Sequence, residues 1–362
     1  MHHPELTIRS VRARAVDAPL ANPIRTAVGE VPSAPLVLID VTTEEGVTGR
    51  SYLFAYTPVT LRSLVRLIED LEPELVGRSV SPIERMRQLD MRFRLVGRQG
   101  LIGMVVGALD MALWDALGCA ANLPVVSLLG GEARPLPAYD SYGIIDPAKD
   151  AGLLERSVES GFRAIKIKIG GGTLEDDVRV VGETRRIIGP DVRLMVDYNQ
   201  SQTVTSAVER IRRLSEFDLA WAEEPVEADD LHGHRRVRAG VSPVPVQTGE
   251  NWWFPRGMAN AVAAEASDLA MIDIMKIGGV TGWLNAMGQA EAASLPISSH
   301  TFTEPSAHVL AVSPTMHWLE YLDLAGAVLT EPLLPQEGKV AARGPGLGIV
   351  WDEQAVLRHA WR

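Results

Sequence analysis

From about Pro137 onward, short apolar runs of strand length alternate with longer segments of helical spacing, the signature of β–α units feeding a parallel sheet. The runs are Leu136 to Ser141, Ala164 to Ile169, Arg193 to Asn199, Leu219 to Glu224, Val244 to Glu250, Leu269 to Met275, Pro296 to His300 and His317 to Leu322. Between them, Val178, Val181 and Ile188 mark one helix face before the Gly189-Pro190 stop, and Val208, Ile211 and Leu214 mark the next. Eight such strands predict an α/β fold, a (β/α)-barrel of the TIM type with its last unit short. An open doubly wound sheet is the alternative, but it calls for a glycine-rich phosphate turn after its first strand. Gly170-Gly171-Gly172 and Gly278-Gly279 follow strands without continuing as a dinucleotide or Walker pattern.

Before the alternation begins, Val11 to Val16, Leu36 to Thr42 and Gly49 to Leu53 read as strands, and Thr60 to Leu75 and Ser81 to Leu117 as helical stretches. An N-terminal α+β capping domain over residues 1–134 is therefore expected. The barrel follows over 135–328, and a Pro- and Gly-rich segment over 329–362 is long enough to pack back on the cap. Leu101 to Gly118 is the most apolar stretch, but it carries Asp110 and Asp115 and reads as a buried helix rather than a bilayer span.

The composition, 46% hydrophobic and 22% charged over 362 residues, suffices for a large core. A net charge of −11 makes the molecular field repel phosphate backbones, so neither nucleic acid nor a membrane is an expected partner. Arg210, Arg212 and Arg213, with Arg185/Arg186 and Arg235/Arg236, fall in amphipathic segments that also carry acids and read as solvated helix faces. The single cysteine, Cys119, excludes an intrachain disulfide. With no apolar leader over Met1 to Arg9, the expected location is the cytoplasm.

Barrel active sites form where the C-terminal strand ends meet, and here those ends are polar: Ser141, Lys166 and Lys168, Asp197 and Asn199, Glu223, Glu250, Asp273, His300 and Glu320. Unpaired charges are costly to bury, so their convergence predicts a site. Asp197, Glu223 and Glu250 come from the third, fourth and fifth strands and offer hard oxygen ligands suited to Mg²⁺. Lys166 and Lys168 share one strand face, where mutual repulsion and desolvation are expected to lower one amine toward the range of a base. Asp273 can orient His300 as a second base or acid. Glu320, in a crowd of acids, is expected to stay protonated and donate a hydrogen bond to a developing oxyanion. His232 and His234 read as surface residues of a helix-entry loop. A lysine base before the carboxylate arc and a histidine base after it would flank a bound substrate on opposite faces.

These residues stand in segments that together resemble the enolase superfamily, and within it the mandelate racemase subgroup. The segments are KIKIG (Lys166 to Gly170), MVDYNQS (Met195 to Ser201), EEP (Glu223 to Pro225), GENW (Gly249 to Trp252), MKIGGVTGW (Met275 to Trp283), SSH (Ser298 to His300) and HWLE (His317 to Glu320). PIRTAVG, APLVLID and SYLFAYTP near the N-terminus extend the likeness to segments that, in the family, cover the barrel mouth and choose the substrate. The resemblance implies Lys168 as the base for one enantiomer and His300, with Asp273, for the other. Lys166 and Glu320 would contact the substrate carboxylate. Asp197, Glu223 and Glu250 would hold Mg²⁺, with Mn²⁺ as a substitute, and Ser141 and Asn199 would touch the substrate. Sites of this superfamily use a Lys or His base with Mg²⁺ to stabilise an ene-diolate. The resemblance further implies a small-molecule carboxylate substrate and a homo-oligomer, an octamer. Phe54, Tyr56 and Leu322 favour an aryl or other apolar group beside the reacting carbon.

Departures from the subgroup's pattern fall near the pocket: Thr301 where an apolar residue follows the histidine, Tyr142 where a histidine stands, and Tyr321 in place of a basic residue. The first reading is thus a racemase of a 2-hydroxy acid, mandelate or a near relative. An acid-sugar dehydratase on the same scaffold is the alternative, with Arg25, Thr301 and Tyr142 as polar contacts for a polyol. A catalytically silent metal-binding scaffold would have lost a base or an acid, and none is missing.

Overall fold

The computed structural model describes residues 6–26 and 29–361. Three long strands, β1 (Ile8–Thr26), β2 (Gly29–Thr43) and β3 (Thr48–Phe54), form an antiparallel sheet in that order. Helices α1 (Leu61–Leu75), α2 (Pro82–Arg92) and α3 (Leu101–Ala121) complete the cap, and α4 (Val125–Leu128) leads to the barrel. The stretch expected to be helical from Ser81 to Leu117 is thus two helices, broken where Gly97 and Gly100 adopt φ of 98° and 69°, a region glycine enters without the Cβ clash. Helix α3, the one helix among the described residues long and apolar enough to cross a membrane, has 78% of its most apolar window buried in the protein. Gly49 of β3 lets it pack this closely, since a Cβ there would stand 2.1 Å from the Ala112 carbonyl oxygen.

The barrel runs β4 (Leu136–Ile144), α5 (Pro147–Glu159), β5 (Ala164–Lys168), α6 (Leu174–Ile188), β6 (Arg193–Asp197), α7 (Val204–Leu214), β7 (Leu219–Glu223), α8 (Leu231–Val241), β8 (Val246–Thr248), α9 (Phe254–Ala263), β9 (Leu269–Asp273), α10 (Gly279–Ala292), β10 (Ile297–His300), α11 (Thr303–Ala311) and β11 (Leu319–Tyr321). All eight expected strands are present, and their spatial order is β10-β9-β8-β7-β6-β5-β4-β11. The sheet curls until Ile297 N–H donates to Thr315 O at 2.8 Å and Ser299 N–H to Trp318 O at 3.0 Å, joining β10 to the approach of β11. Past β11 the chain adds β12 (Lys339–Val340), antiparallel to β4, and α12 (Glu353–Arg358). This last segment returns to the cap sheet, with Trp361 N–H donating to Ala15 O at 3.0 Å and Trp351 Nε1 to Asp40 Oδ1 at 2.8 Å.

Two apolar layers hold the barrel. Outward-facing Ile165, Ile167, Leu194 and Val196 pack on Val181, Ile188 and Ile211 of the surrounding helices, whereas Tyr139, Ala164, Met195, Trp221 and Met271 cluster inside as a floor. Each floor residue lies two positions before a strand-end polar residue, so strand alternation stacks a polar layer on the apolar one. Cap and barrel are joined by buried polar ties. Asp110 of α3 accepts from Thr281 N–H (2.9 Å) and Oγ1 (2.6 Å) at the start of α10, and Tyr52 of β3 donates to Glu304 of α11 (2.6 Å).

The glycine run after β5 binds its own protein. Gly170 N–H donates to Asp177 (3.0 Å), Gly172 O accepts from Arg210 (2.8 Å), and Thr173 with Asp176 forms a capping box on α6. His232 is exposed as expected, but His234 is wholly buried inside α8 rather than in an entry loop. Asp230 caps that helix by accepting from Gly233 N–H at 2.8 Å, so the helix starts before the histidines and turns the second inward.

His308 of α11 is fully buried and its Nδ1 accepts from Val126 N–H of α4 at 3.1 Å, which requires a neutral ring; burial pulls its pKa down to about 4. At this residue the unfolded chain, titrating near 6.5, binds the proton that the folded chain refuses between about pH 4 and 6.5, so the contribution of His308 to stability rises with pH through that window. The difference in urea midpoint between the wild type and His308→Asn, which keeps an acceptor without a titrating ring, should shift in favour of the wild type as the pH rises through this window.

Candidate active site at the barrel mouth

Strand register brings the predicted residues together pair by pair. Lys168 is opposite Asp197, Asp197 opposite Glu223, Ser141 opposite Lys166, and Asp273 opposite His300. Asp197 and Glu223 are fully buried, Asp273 and Lys166 are 1% exposed, Glu320 2%, and Glu250 and His300 8%. Ionisable groups this deep persist only when paired or bound to a cation.

The lysines meet that requirement through the carboxylates. Lys166 Nζ stands 2.5 Å from Glu223 Oε1 and 2.8 Å from Glu320 Oε1, and Lys168 Nζ 2.5 Å from Asp197 Oδ2. Burial works against the charge on Lys166, but Glu223 and Glu320 raise its pKa well above the usual lysine value. Lys168 is also raised: burial and the Lys166 charge lower it, and Asp197 overcomes both. The expectation that mutual repulsion would yield a neutral amine fails in this state because each ammonium has its own carboxylate.

Glu320 also departs from expectation. Burial would raise it, but Lys166, His300 and the hydroxyl of Ser141 bring its pKa down to about 2. Ser141 Oγ donates to Oε1 at 2.7 Å and Thr301 N–H to Oε2 at 2.8 Å, so Glu320 is an ionised acceptor rather than the protonated donor anticipated. The donor aimed at this end of the site is the Lys166 ammonium.

His300 Nδ1 is 2.7 Å from Asp273 Oδ2, while Nε2 lies 3.3 Å from Glu250. Burial alone would lower the imidazole, but Glu250, the bond to Asp273 and Glu320 carry its pKa to about 9. Asp273 is itself held by the Lys276 N–H on Oδ1 at 2.9 Å, which leaves Oδ2 for the histidine. Behind the ring, Thr301 and Phe302 take φ of 46° and 49°. Left-handed backbone at a β-branched residue is strained, and strain of this kind clusters at functional sites.

Of the predicted substrate contacts, Asn199 supports Asp197, with its N–H on Oδ1 at 2.7 Å and its amide on Oδ2 at 3.1 Å. Ser141 is committed to Glu320. Phe54 is buried, Tyr56 is 40% exposed at φ 58°, and their ring centroids are 4.5 Å apart at the edge of the cap. Leu322 lies in a separate depression beside Ser141, lined by Leu20, Pro23, Ile24 and Tyr142. There Gly143 admits the returning end of β1, since a Cβ would sit 2.3 Å from Arg25 O.

Sequence reasoning missed a supporting layer. Trp221 Nε1 donates to Glu223 Oε2 at 3.0 Å from the apolar floor. Glu224, wholly buried at φ 36°, accepts from Asn251 Nδ2 at 2.9 and 3.2 Å, and Lys276 Nζ donates to Asn251 Oδ1 at 2.7 Å. The signal was there in the second Glu of EEP, the Asn of GENW and the Lys of MKIGG, all polar within apolar strand-end sequence.

The donor set suits a hard divalent cation. Asp197, Glu223, Glu224, Glu250, Asp273 and Glu320 crowd six acidic side chains around four basic ones, Lys166, Lys168, Lys276 and His300. Burial pushes Glu223 up despite Lys166, and Asp197, Glu320 and Glu250 add repulsion. A cation among Asp197, Glu223 and Glu250 would relieve that crowding. With Lys168 on Asp197 and Lys166 on Glu223, no three His, Cys, Asp or Glu groups among the described residues converge as ligands.

Residues 8–130 match the mandelate racemase / muconate lactonizing enzyme N-terminal domain, and residues 149–355 the enolase C-terminal domain-like family. The chain belongs to the enolase/mandelate racemase superfamily. Its fold superposes over its full length on all of a Bradyrhizobium enolase crystallised with magnesium and mandelic acid, with a TM-score of 0.98 and 55% identity. Other members of the superfamily point to other reactions. A 3,6-anhydro-α-L-galactonate cycloisomerase of Streptomyces coelicolor is 33% identical, over 90% of this chain and 91% of its own length. An L-talarate/galactarate dehydratase of Salmonella typhimurium is 29% identical, over 79% and 73%. This superfamily member is an enzyme by its relatives, which span isomerases, epimerases and dehydratases.

Proposed function

We propose that this chain is a Mg²⁺-dependent racemase that removes and returns the α-proton of a 2-hydroxy carboxylate, mandelate or a related aryl or apolar acid. The observation that carries this reading is the pair of proton-transfer groups on opposite arms of the mouth, Lys168 at the end of β5 and the His300–Asp273 dyad at the ends of β10 and β9, on either side of the buried carboxylates. The likeness to a chain crystallised with mandelic acid supports the substrate class.

Asp197, Glu223 and Glu250 would hold Mg²⁺, which would supply positive charge against the negative charge that develops on the substrate carboxylate. Lys168 stands at the end of β5 to take the α-proton from one face once its ion pair with Asp197 opens. His300 Nε2 takes or gives the proton on the other face, its ring held by Asp273 through Nδ1. The Lys166 ammonium, fixed between Glu223 and Glu320, donates to the substrate carboxylate as its charge grows.

A polyol substrate is served less well. Tyr142 spends its hydroxyl on Asp140 (2.7 Å) and Ser157 (2.5 Å), and Arg25 is ion-paired with Asp150, so of the three polar contacts for a sugar acid only Thr301 remains. The exposed part of Tyr56 and its neighbour Phe54 offer an aromatic edge instead.

The test is proton NMR of (R)- and (S)-mandelate, incubated separately with enzyme and Mg²⁺ in D₂O, with chiral analysis alongside. Deuterium incorporation with inversion from both enantiomers is expected. No exchange from either, by protein shown to bind Mg²⁺, would overturn the mandelate assignment and turn the search to acid sugars and a keto product.

A further inference from the structure

Lys276 is 5% exposed, yet it belongs to neither the predicted bases nor the predicted ligands. Its ammonium has two partners on two different domains. One is Asn251 Oδ1 at 2.7 Å; the other is the ring of Tyr56, whose centroid is 4.7 Å from Nζ. Tyr56 belongs to the cap, two residues past β3, and is held there in left-handed backbone at φ 58°. Asn251 belongs to the barrel and donates to both oxygens of Glu224 and, at 3.3 Å, to Glu250 Oε1.

An ammonium can only donate, so Lys276 dictates which end of the Asn251 amide faces it. With the oxygen turned to Lys276, the NH₂ faces Glu224 and Glu250; reversed, the amide would set its NH₂ against the ammonium and its oxygen against Glu250. The same cation, buried itself, attracts the face of the partly exposed Tyr56 ring. We propose that Lys276 is a positioning residue that latches the cap over the mouth, tying Tyr56 to the carboxylate layer through Asn251 and thereby shaping the substrate-facing edge.

The inference rests on the proposed function only in its kinetic arm. The backbone N–H of Lys276, which orients Asp273, survives any side-chain change, so the dyad is untouched. Lys276→Met keeps the stem and removes the charge; Lys276→Arg keeps the charge and the ring contact. Hydrogen–deuterium exchange of residues 54–60, read on the metal-free protein, is expected to accelerate in Lys276→Met and in Tyr56→Leu, and to stay at the wild-type rate in Lys276→Arg. In the mandelate assay, Lys276→Met should raise KM about tenfold with kcat within about threefold, and Lys276→Arg should keep the wild-type KM. Unchanged exchange over 54–60 in Lys276→Met overturns the latch whatever the substrate proves to be. A wild-type enzyme inert on mandelate overturns the proposed substrate alone, and the exchange measurement still decides the latch.

Discussion

Replacing His300 with Asn is expected to cut racemisation of mandelate by about 10²–10⁴-fold, the usual worth of a positioned general acid or base, while solvent exchange of the α-proton continues from one enantiomer only. The asymmetry follows from the placement of the groups. Lys168 stands across the mouth on β5, paired with Asp197 at 2.5 Å, and shares neither a hydrogen bond nor an ion pair with His300. Its access to one face of the α-carbon therefore survives the loss of the imidazole. Asn keeps a donor for Asp273 Oδ2, so the dyad's carboxylate is not left bare. The D₂O experiment with separate enantiomers reads the outcome directly: label enters one hand of mandelate without inversion. Equal exchange from both hands would remove His300 from the reaction and with it the two-base arrangement.

Lys166→Met should unfold the protein more easily, by about 3–5 kcal/mol at neutral pH, the cost of stripping one partner from a buried ion pair. Lys166 Nζ is the cation between Glu223 Oε1 and Glu320 Oε1, both essentially without exposure. Without it, two carboxylates face each other across the apolar floor of Tyr139, Trp221 and Met271. Protonating them is the available relief, so the deficit should shrink as the pH is lowered. Urea midpoints at pH 7 and at pH 5 measure both parts, and an unchanged midpoint at pH 7 would show that the lysine is not what balances those acids. Catalysis should be lost as well, since the same ammonium is the donor for the growing negative charge.

Much of the site was legible in the sequence because its grammar is local. A polar residue ending an apolar strand, with an apolar one two positions earlier, must point into a barrel if the strand belongs to one. Lys166, Asp197, Glu223 and Asp273 all obey that rule above Ala164, Met195, Trp221 and Met271. The break between α2 and α3 was harder to see, since it depends on two glycines whose neighbours are compatible with helix. His234 was misplaced because a one-turn shift in where α8 begins decides whether a histidine faces solvent or core.

The second half of the chain, by its strand rhythm, determined the barrel and the identity of the groups at its mouth, both of which follow from periodicity along a few residues. Only the tertiary structure decided their states. Whether Glu320 is a donor or an ionised acceptor, and whether Lys168 is free or paired, depends on the summed fields of groups from six strands and on how deeply each is buried. Likewise Lys276 acquires its place between Tyr56 and Asn251 because the cap, more than two hundred residues away in sequence, folds onto the barrel. Distance along the chain carries no information about such contacts, and electrostatic energy depends on distance in space.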